Sequence, residues 1–509
     1  MKAVARGTTR PKERSKASSF RRAHVLRLLV LVSAVGALVA SLLYRLQPDV
    51  KGKPLYEDEA IAGLIAMRPL PEVLETVLLD RGGAPLHFVL ARVVFWVDTS
   101  AEALRWLSVL CALGTIPLCF ELGRRLGGAA AGVVAAAVAA SSTALAVYGS
   151  FGRMYALFAF VAALFALLYV QALEVRTTGA VAAAAAAGWL LAATHPYGAI
   201  PAFVALVAAA AVWRGRPLRA AWPVAVAVIA ALPLLVADLH LADRAQVGAG
   251  GDRSLASPGE AWTELVAALS AFAGGDGLPL VFLSALALVG LAVLVRRSPA
   301  VAALALSTAI LPLLFVLVRT NTTPDLSPRH LFYGLPLWAA AIGVGAARLA
   351  TPLGRELSTV AVAAVAVIAV LAPPSSLRDP RDSGLGTTSV GVESAVRAAA
   401  GDVLVPYSTV FLASLPNVGG ALALPHAPGN EILRALDHAN EPIGAVYVAI
   451  PTEPWTVRRL EGPFDKPAAI SAAATALAEA EHTPRLRNWF AWIEPGLCEA
   501  LRGLDRPCP

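Results

Sequence analysis

Eleven runs with almost no charge, each long enough or nearly long enough to cross a bilayer, lie between residues 25 and 372. They fall at 25–44, 103–121, 128–148, 154–174, 178–194, 198–213, 220–237, 277–295, 299–318, 332–349 and 358–372. A spanning helix needs about 20 apolar residues, and inside hydrocarbon every backbone polar group must be satisfied within the segment, so such runs fold as helices. Charged residues make up 15% of the chain and hydrophobic ones 57%, against about 25% charged in an ordinary globular protein. A soluble multidomain protein, a disordered chain and a fibrous one are therefore excluded. The net charge of +7 does not indicate nucleic acid, because the Lys and Arg residues are scattered between apolar runs rather than gathered on one face.

The basic residues set the topology. Residues 1–24 hold eight Lys or Arg and one acid, and the run that follows lacks a small-residue cleavage site. We therefore expect an uncleaved signal anchor behind a basic cytoplasmic tail. The segment 84–97 is fourteen residues long and contains His87 and Arg92. It is too short to span and is placed on the membrane surface. With eleven spans, the turns carrying Arg124 and Arg125, Arg176, Arg214, Arg216 and Arg219, Arg296 and Arg297, and Arg348 and Arg355 all face inward, as the positive-inside rule requires. Counting 84–97 as a span would turn all of them outward.

The expected fold is thus an α-helical polytopic membrane protein of about eleven transmembrane helices over 25–372, with a large outer loop at 45–102. A turn-rich linker (373–390) leads to a small extracytoplasmic α/β domain (391–509) packed against the outer membrane face. Its strand candidates are the runs 402–405 and 445–450, and its helix candidate is Ala468 to Glu481. Cys111 and Cys119 lie in one apolar run and are read as inert packing residues, whereas Cys498 and Cys508 in the outer tail are placed for a local disulfide.

Ionisable groups are costly in a bilayer, and proton-coupled transporters keep them near the midplane. Here they collect at the outer ends of the spans instead: Asp58 and Glu59, Asp80, Arg153 with Tyr155, His195, Asp238 and His240, and Arg329 with His330. Residues far apart in sequence thus meet on one membrane face. The acids of Tyr56-Glu57-Asp58-Glu59 also suit an ordinary helix N-terminus, and Arg153 could simply snorkel toward headgroups. A guanidinium at headgroup depth is well matched to a lipid phosphate, because its planar fork binds phosphate in a bidentate manner.

In their order along the chain, Asp58-Glu59, Gly82 to Phe88, Gly152-Arg153-Met154-Tyr155-Ala156-Leu157, His195-Pro196-Tyr197-Gly198 and Pro328-Arg329-His330-Leu331-Phe332 resemble the motifs of the GT-C superfamily of polyprenyl-phosphate-sugar-dependent glycosyltransferases. The resemblance is to the branch of protein O-mannosyltransferases and lipid A aminoarabinose transferases, and it covers most of 25–372. Two positions depart from it: Gly83-Ala84-Pro85 stands where many relatives have His-Pro-Pro, and His330 where Tyr is common.

The resemblance implies inverting transfer of a hexosyl or pentosyl group, mannosyl included, from a polyprenyl monophosphate to a hydroxyl of a glycan, lipid or protein on the extracytoplasmic face of the cell membrane. Asp58 is then the general base, and Glu59 and Asp80 orient the acceptor or tune that base. Arg153, Tyr155, His195, Arg329 and His330 bind the lipid phosphate or the sugar. No cofactor is required; a divalent cation is compatible, although no ligand cluster demands one, and no metal-binding residues are assigned. The competing classes are a lipid-linked glycan transporter or flippase, which needs a polar path across the membrane, and a non-catalytic scaffold with an outer binding domain.

Overall fold

The computed structural model describes residues 11–81, 83–212, 222–243, 257–273, 275–318, 326–372, 374–383, 396–425, 427–450, 456–480 and 487–508. Gly82, the basic turn Arg214, Arg216 and Arg219, and residues 373 and 384–390 of the linker lie outside the described residues.

A helix occupies each of the eleven apolar runs. In chain order these are α1 (Pro11–Gly52), α5 (Ala101–Gly127), α6 (Ala129–Ser141) with α7 (Thr143–Gly149), α8 (Tyr155–Val175), α9 (Thr178–Thr194), α10 (Ala199–Val212), α11 (Trp222–Asp243), α13 (Leu278–Arg297), α14 (Pro299–Val318), α15 (Leu335–Ala350) and α16 (Arg355–Leu371). By length and apolarity, six described helices suffice to cross a membrane, or seven if the bent α6–α7 pair is one span, and the remaining apolar stretches run to 10–17 residues. The first helix starts at Pro11, so the basic segment runs into it without a break.

The expected span 128–148 is broken by 53° between α6 and α7. The cause is Ser142, whose Oγ accepts from Leu145 N at 3.2 Å, capping α7, and donates to the Ala271 carbonyl at 2.9 Å. That carbonyl belongs to α12 (Pro258–Ala273), a helix between the expected spans 220–237 and 277–295 that sequence periodicity did not single out. Near the centre of the bundle is α15, with 94% of its apolar window buried. It touches α13 backbone to backbone. A Cβ added at Gly345 would stand 1.9 Å from the Leu286 carbonyl oxygen, and one at Gly290 would stand 1.9 Å from that of Ala341. Small residues are how helices approach closely where lipid offers no hydrophobic drive.

In the loop between α1 and α5, three short helices follow α1: α2 (Glu57–Ala66), α3 (Leu70–Asp80) and α4 (Leu86–Val94). Nine residues of α4 rise about 14 Å at 1.5 Å each, less than half of a hydrocarbon core.

The C-terminal part is a four-stranded sheet of order β2-β1-β3-β4, with β1 (Val403–Val405), β2 (Leu422–Ala423), β3 (Ile443–Ile450) and β4 (Thr456–Phe464). Its helices are α17 (Thr409–Ala413), α18 (Gly429–Asp437), α19 (Lys466–Ala478) and α20 (Arg487–Gly503). The first three strands pair in parallel and β4 closes the edge antiparallel to β3. Side chains alternate across a strand, and here each face has its own core. Val403, Val405, Val446, Val448 and Ile450 face α18–α20, while Leu404, Tyr447 and Ala449 join Ile61, Leu64, Val73 and Phe88 of the outer loop. One face of the sheet therefore packs on the loop helices, and the apolar sides of α2, α3 and α4 supply its cover. A disulfide links Cys498 to Cys508, and Cys111 and Cys119 are free and buried.

Candidate active site

The loop helices are held to the bundle by one buried ion pair. Glu59 and Arg105 are each 1% exposed. Glu59 Oε1 accepts from Arg105 Nε (2.8 Å) and Gly152 N (2.8 Å), and Oε2 accepts from Arg105 Nη2 (2.7 Å) and Tyr56 N (3.0 Å). Arg105 also donates to the carbonyls of Asp49, Val50, Lys53 and Pro54 at 2.7–3.3 Å, satisfying acceptors that the C-terminus of α1 leaves open. Glu59 is thus consumed in the frame, tying the start of α2 to the turn before Arg153. Arg105 is a residue that sequence reading missed; its only signal is a lone Arg one turn into an apolar run.

The neighbouring acid is deployed differently. Asp58 is half-buried and lies in electrostatic range of Arg329, Tyr155, Tyr148 and Tyr56. The Arg329 guanidinium sits 5.6 Å from the Tyr155 ring centre and that of Arg153 sits 5.8 Å from Phe88. Nε and Nη1 of Arg153 and Nε of Arg329 are buried without a hydrogen-bond partner among the described residues. An unsatisfied buried donor is expensive, and an acceptor placed beside these guanidinium groups would satisfy them.

His195 stacks on Phe158 (4.8 Å, 17°) and on Tyr197 (5.3 Å), and lies 5.5 Å from the ring of His330. The Nδ1 atom of His195 accepts from Tyr197 N at 3.2 Å, and that of His330 accepts from Ser327 N at 3.1 Å. In the neutral form each ring therefore carries its proton on Nε2. Asp58, Arg153, Tyr155, His195, Arg329 and His330, from four separate stretches of sequence, are thus brought together. Asp80 is placed otherwise: it pairs with Arg434 of α18, a docking contact between the C-terminal domain and α3. Asp238, near the end of α11, lies beside Gly83, with Oδ1 buried and without a hydrogen-bond partner among the described residues.

Burial, then Arg329 and Arg153, push the His195 pKa down to about 3; burial and Arg153 do the same to His87. Burial, with Asp58 and Glu57, pushes the Tyr56 phenol up to about 12. The folded protein thus refuses a proton that the unfolded chain takes up on each imidazole below about pH 6.5. That stability is fully present above about pH 6.5 and is lost as the pH falls toward 3. The unfolding temperature of the purified protein should be level from pH 8 to 7 and then fall, and His195→Gln should flatten part of the fall. Equal acid sensitivity in the two proteins would contradict this.

Among the described residues no group of three or more His, Cys, Asp or Glu is placed to hold a metal ion. A cavity of about 150 Å³ opens where the end of α1 meets α5 and α17, lined by Lys53, Glu102, Arg105 and Asn417 among others; none of the six convergent residues lines it.

No protein-family model and no curated protein matches the chain. Several solved structures are similar to it. ArnT from Cupriavidus metallidurans in the apo state is 16% identical, with a TM-score of 0.45 over 65% of this chain and 62% of that one. The same ArnT bound to undecaprenyl phosphate gives 17%, 0.43, 62% and 60%. The arabinosyltransferase EmbB from Mycobacterium smegmatis gives 16%, 0.43, 64% and 31%, and the Archaeoglobus fulgidus oligosaccharyltransferase gives 13%, 0.44, 83% and 69%. The chain spans less than two thirds of the length of ArnT. Two of these neighbours are named for sugar transfer, an arabinosyltransferase and an oligosaccharyltransferase.

Proposed function

We propose that this chain is a membrane glycosyltransferase that moves a sugar from a polyprenyl monophosphate to an acceptor hydroxyl at the extracytoplasmic face. The observation that supports the reading is the pairing of a half-buried carboxylate, Asp58, with two guanidinium groups whose buried donors are unspent. Asp58 takes the proton of the acceptor hydroxyl as its oxygen attacks the anomeric carbon. The bond from that carbon to the phosphate oxygen breaks, and polyprenyl phosphate leaves with the bonding pair, so the configuration inverts. Arg153 and Arg329 receive the phosphate. Its charge grows as the bond breaks, so this stabilisation is larger in the transition state than in the ground state. His195 and His330, presenting Nε2–H, donate to oxygen rather than exchange protons.

The test combines a deletion strain with purified protein. We expect the strain to lose one glycosylated product by mass spectrometry, and the protein to release polyprenyl phosphate from a polyprenyl-phosphate sugar when an acceptor extract is supplied. An unchanged glycan profile together with a failure to move a lipid-linked glycan across the membrane would replace this reading with the transporter.

A further inference from the structure

Just after α16, a short turn at Pro380–Ser383 sends one side chain back into the bundle. Arg381 is fully buried. It donates to the Ser150 carbonyl (3.0 Å), Ser150 Oγ (3.1 Å) and the Val147 carbonyl (3.2 Å), and its charge is balanced by Asp379, whose Oδ2 lies 2.8 Å from Nη2. The carbonyls at 147 and 150 belong to the last turn of α7, where a helix runs out of intrahelical donors. The guanidinium also lies 5.6 Å from the Phe151 ring. Phe151 is stacked on Tyr155 (6.0 Å, 27°) and packs against Tyr56 at 5.8 Å and Tyr148 at 6.1 Å. Those three tyrosines are the ones in electrostatic range of Asp58 and Arg329.

Nearby, the linker is also pinned by Ser375 N to Thr143 Oγ1 (3.0 Å), Ser376 N to Asp276 Oδ2 (2.9 Å), and Lys53 to Asp382 (2.6 Å) and Asp379 (3.6 Å). These bind its backbone or its acidic side chains. Among the described linker residues, Arg381 is the one whose side chain enters the turn that leads to Arg153. Nothing in the composition of a turn-rich linker marks it for this, and the contact joins residues more than 200 apart.

We propose that Arg381 is a positioning residue of the candidate active site: from the linker it fixes the 147–151 turn and the Phe151 ring, and through them the tyrosine platform facing Asp58 and Arg329. The proposal rests on the glycosyltransferase reading of that platform. Arg381 touches no reacting atom. Lys at this position keeps the charge but loses the fork that serves two carbonyls and Asp379 together.

The experiment compares wild type, Arg381→Ala, Arg381→Lys and Arg68→Ala in the full-length protein. Arg68 donates to Tyr407 Oη, the Ala423 carbonyl and Thr76 Oγ1, so its loss loosens the C-terminal domain without touching the turn. For each variant we would measure unfolding temperature, near-UV circular dichroism in the tyrosine region, binding of undecaprenyl phosphate, and transfer rate per folded molecule. Arg381→Ala should lose at least tenfold in kcat and alter the tyrosine signal, with Arg381→Lys recovering part of both, while Arg68→Ala lowers the unfolding temperature but keeps the transfer rate per folded molecule near wild type. If Arg381→Ala retains the wild-type tyrosine signal and the wild-type rate per folded molecule, the proposal is overturned. If wild type neither binds undecaprenyl phosphate nor transfers sugar, the functional reading fails, and the tyrosine signal alone still decides whether Arg381 positions the platform.

Discussion

Replacing Asp58 by Asn should cut kcat by about 10²–10⁴-fold, the usual contribution of a general base, and leave the amount of folded, membrane-inserted protein unchanged. The side chain keeps its shape, and unlike Glu59 it is not fully buried within the frame, so stability has little to lose. What disappears is the only carboxylate in the convergent group. The KM for the lipid donor should stay level or fall, because removing a negative charge close to Arg329 leaves that guanidinium more of its attraction for phosphate. A fall in kcat with unchanged or tighter donor binding is the signature of a group that acts on the acceptor. Wild-type transfer by Asp58→Asn would remove the base assignment, and a loss confined to donor KM would move Asp58 into the binding machinery.

Most of the helical architecture was legible in advance. Apolar runs placed most of the spanning helices within a few residues, because a bilayer leaves the backbone no other way to satisfy itself, although α1 extends well beyond its run at both ends and α12 lay in none. The site motifs also met as expected, with Asp58, Arg153, Tyr155, His195, Arg329 and His330 in one group. What was not legible depends on contacts across hundreds of residues. Asp58 and Glu59 look interchangeable in the sequence, and only the position of Arg105, 46 residues on, shows that one is consumed in the frame and the other is not. Asp80 has the same ambiguity, decided by Arg434, 354 residues away. The cover that the sheet finds on α2–α4 was hidden for a related reason. The amphipathic pattern of a short loop helix says that one face is buried, but not whether lipid or protein buries it.

The frame itself can be broken selectively. Removing Arg105 leaves Glu59 as an uncompensated buried charge and strips the donors from up to four carbonyls at the end of α1. Breaking a buried pair from one side costs about 3–5 kcal/mol, a large share of the roughly 5–15 kcal/mol that holds a typical domain. Arg105→Ala should therefore give little folded protein. Glu59→Gln should be milder, since the amide oxygen can still accept from a backbone N–H or from Arg105, and only the charge is lost. Arg105→Lys belongs between the two, because one ammonium cannot reach both carboxylate oxygens and the carbonyls behind it. The order of unfolding temperatures in detergent should thus be wild type, Glu59→Gln, Arg105→Lys, Arg105→Ala. Both ends of the clamp, Tyr56 N and Gly152 N, lie within two residues of Asp58 and Arg153 respectively. Glu59→Gln should therefore also lower transfer per folded molecule, and by less than Asp58→Asn, since it slackens the geometry without removing the base. If Glu59→Gln proved the more damaging of the two for the rate per folded molecule, the roles assigned to the adjacent acids would have to be exchanged.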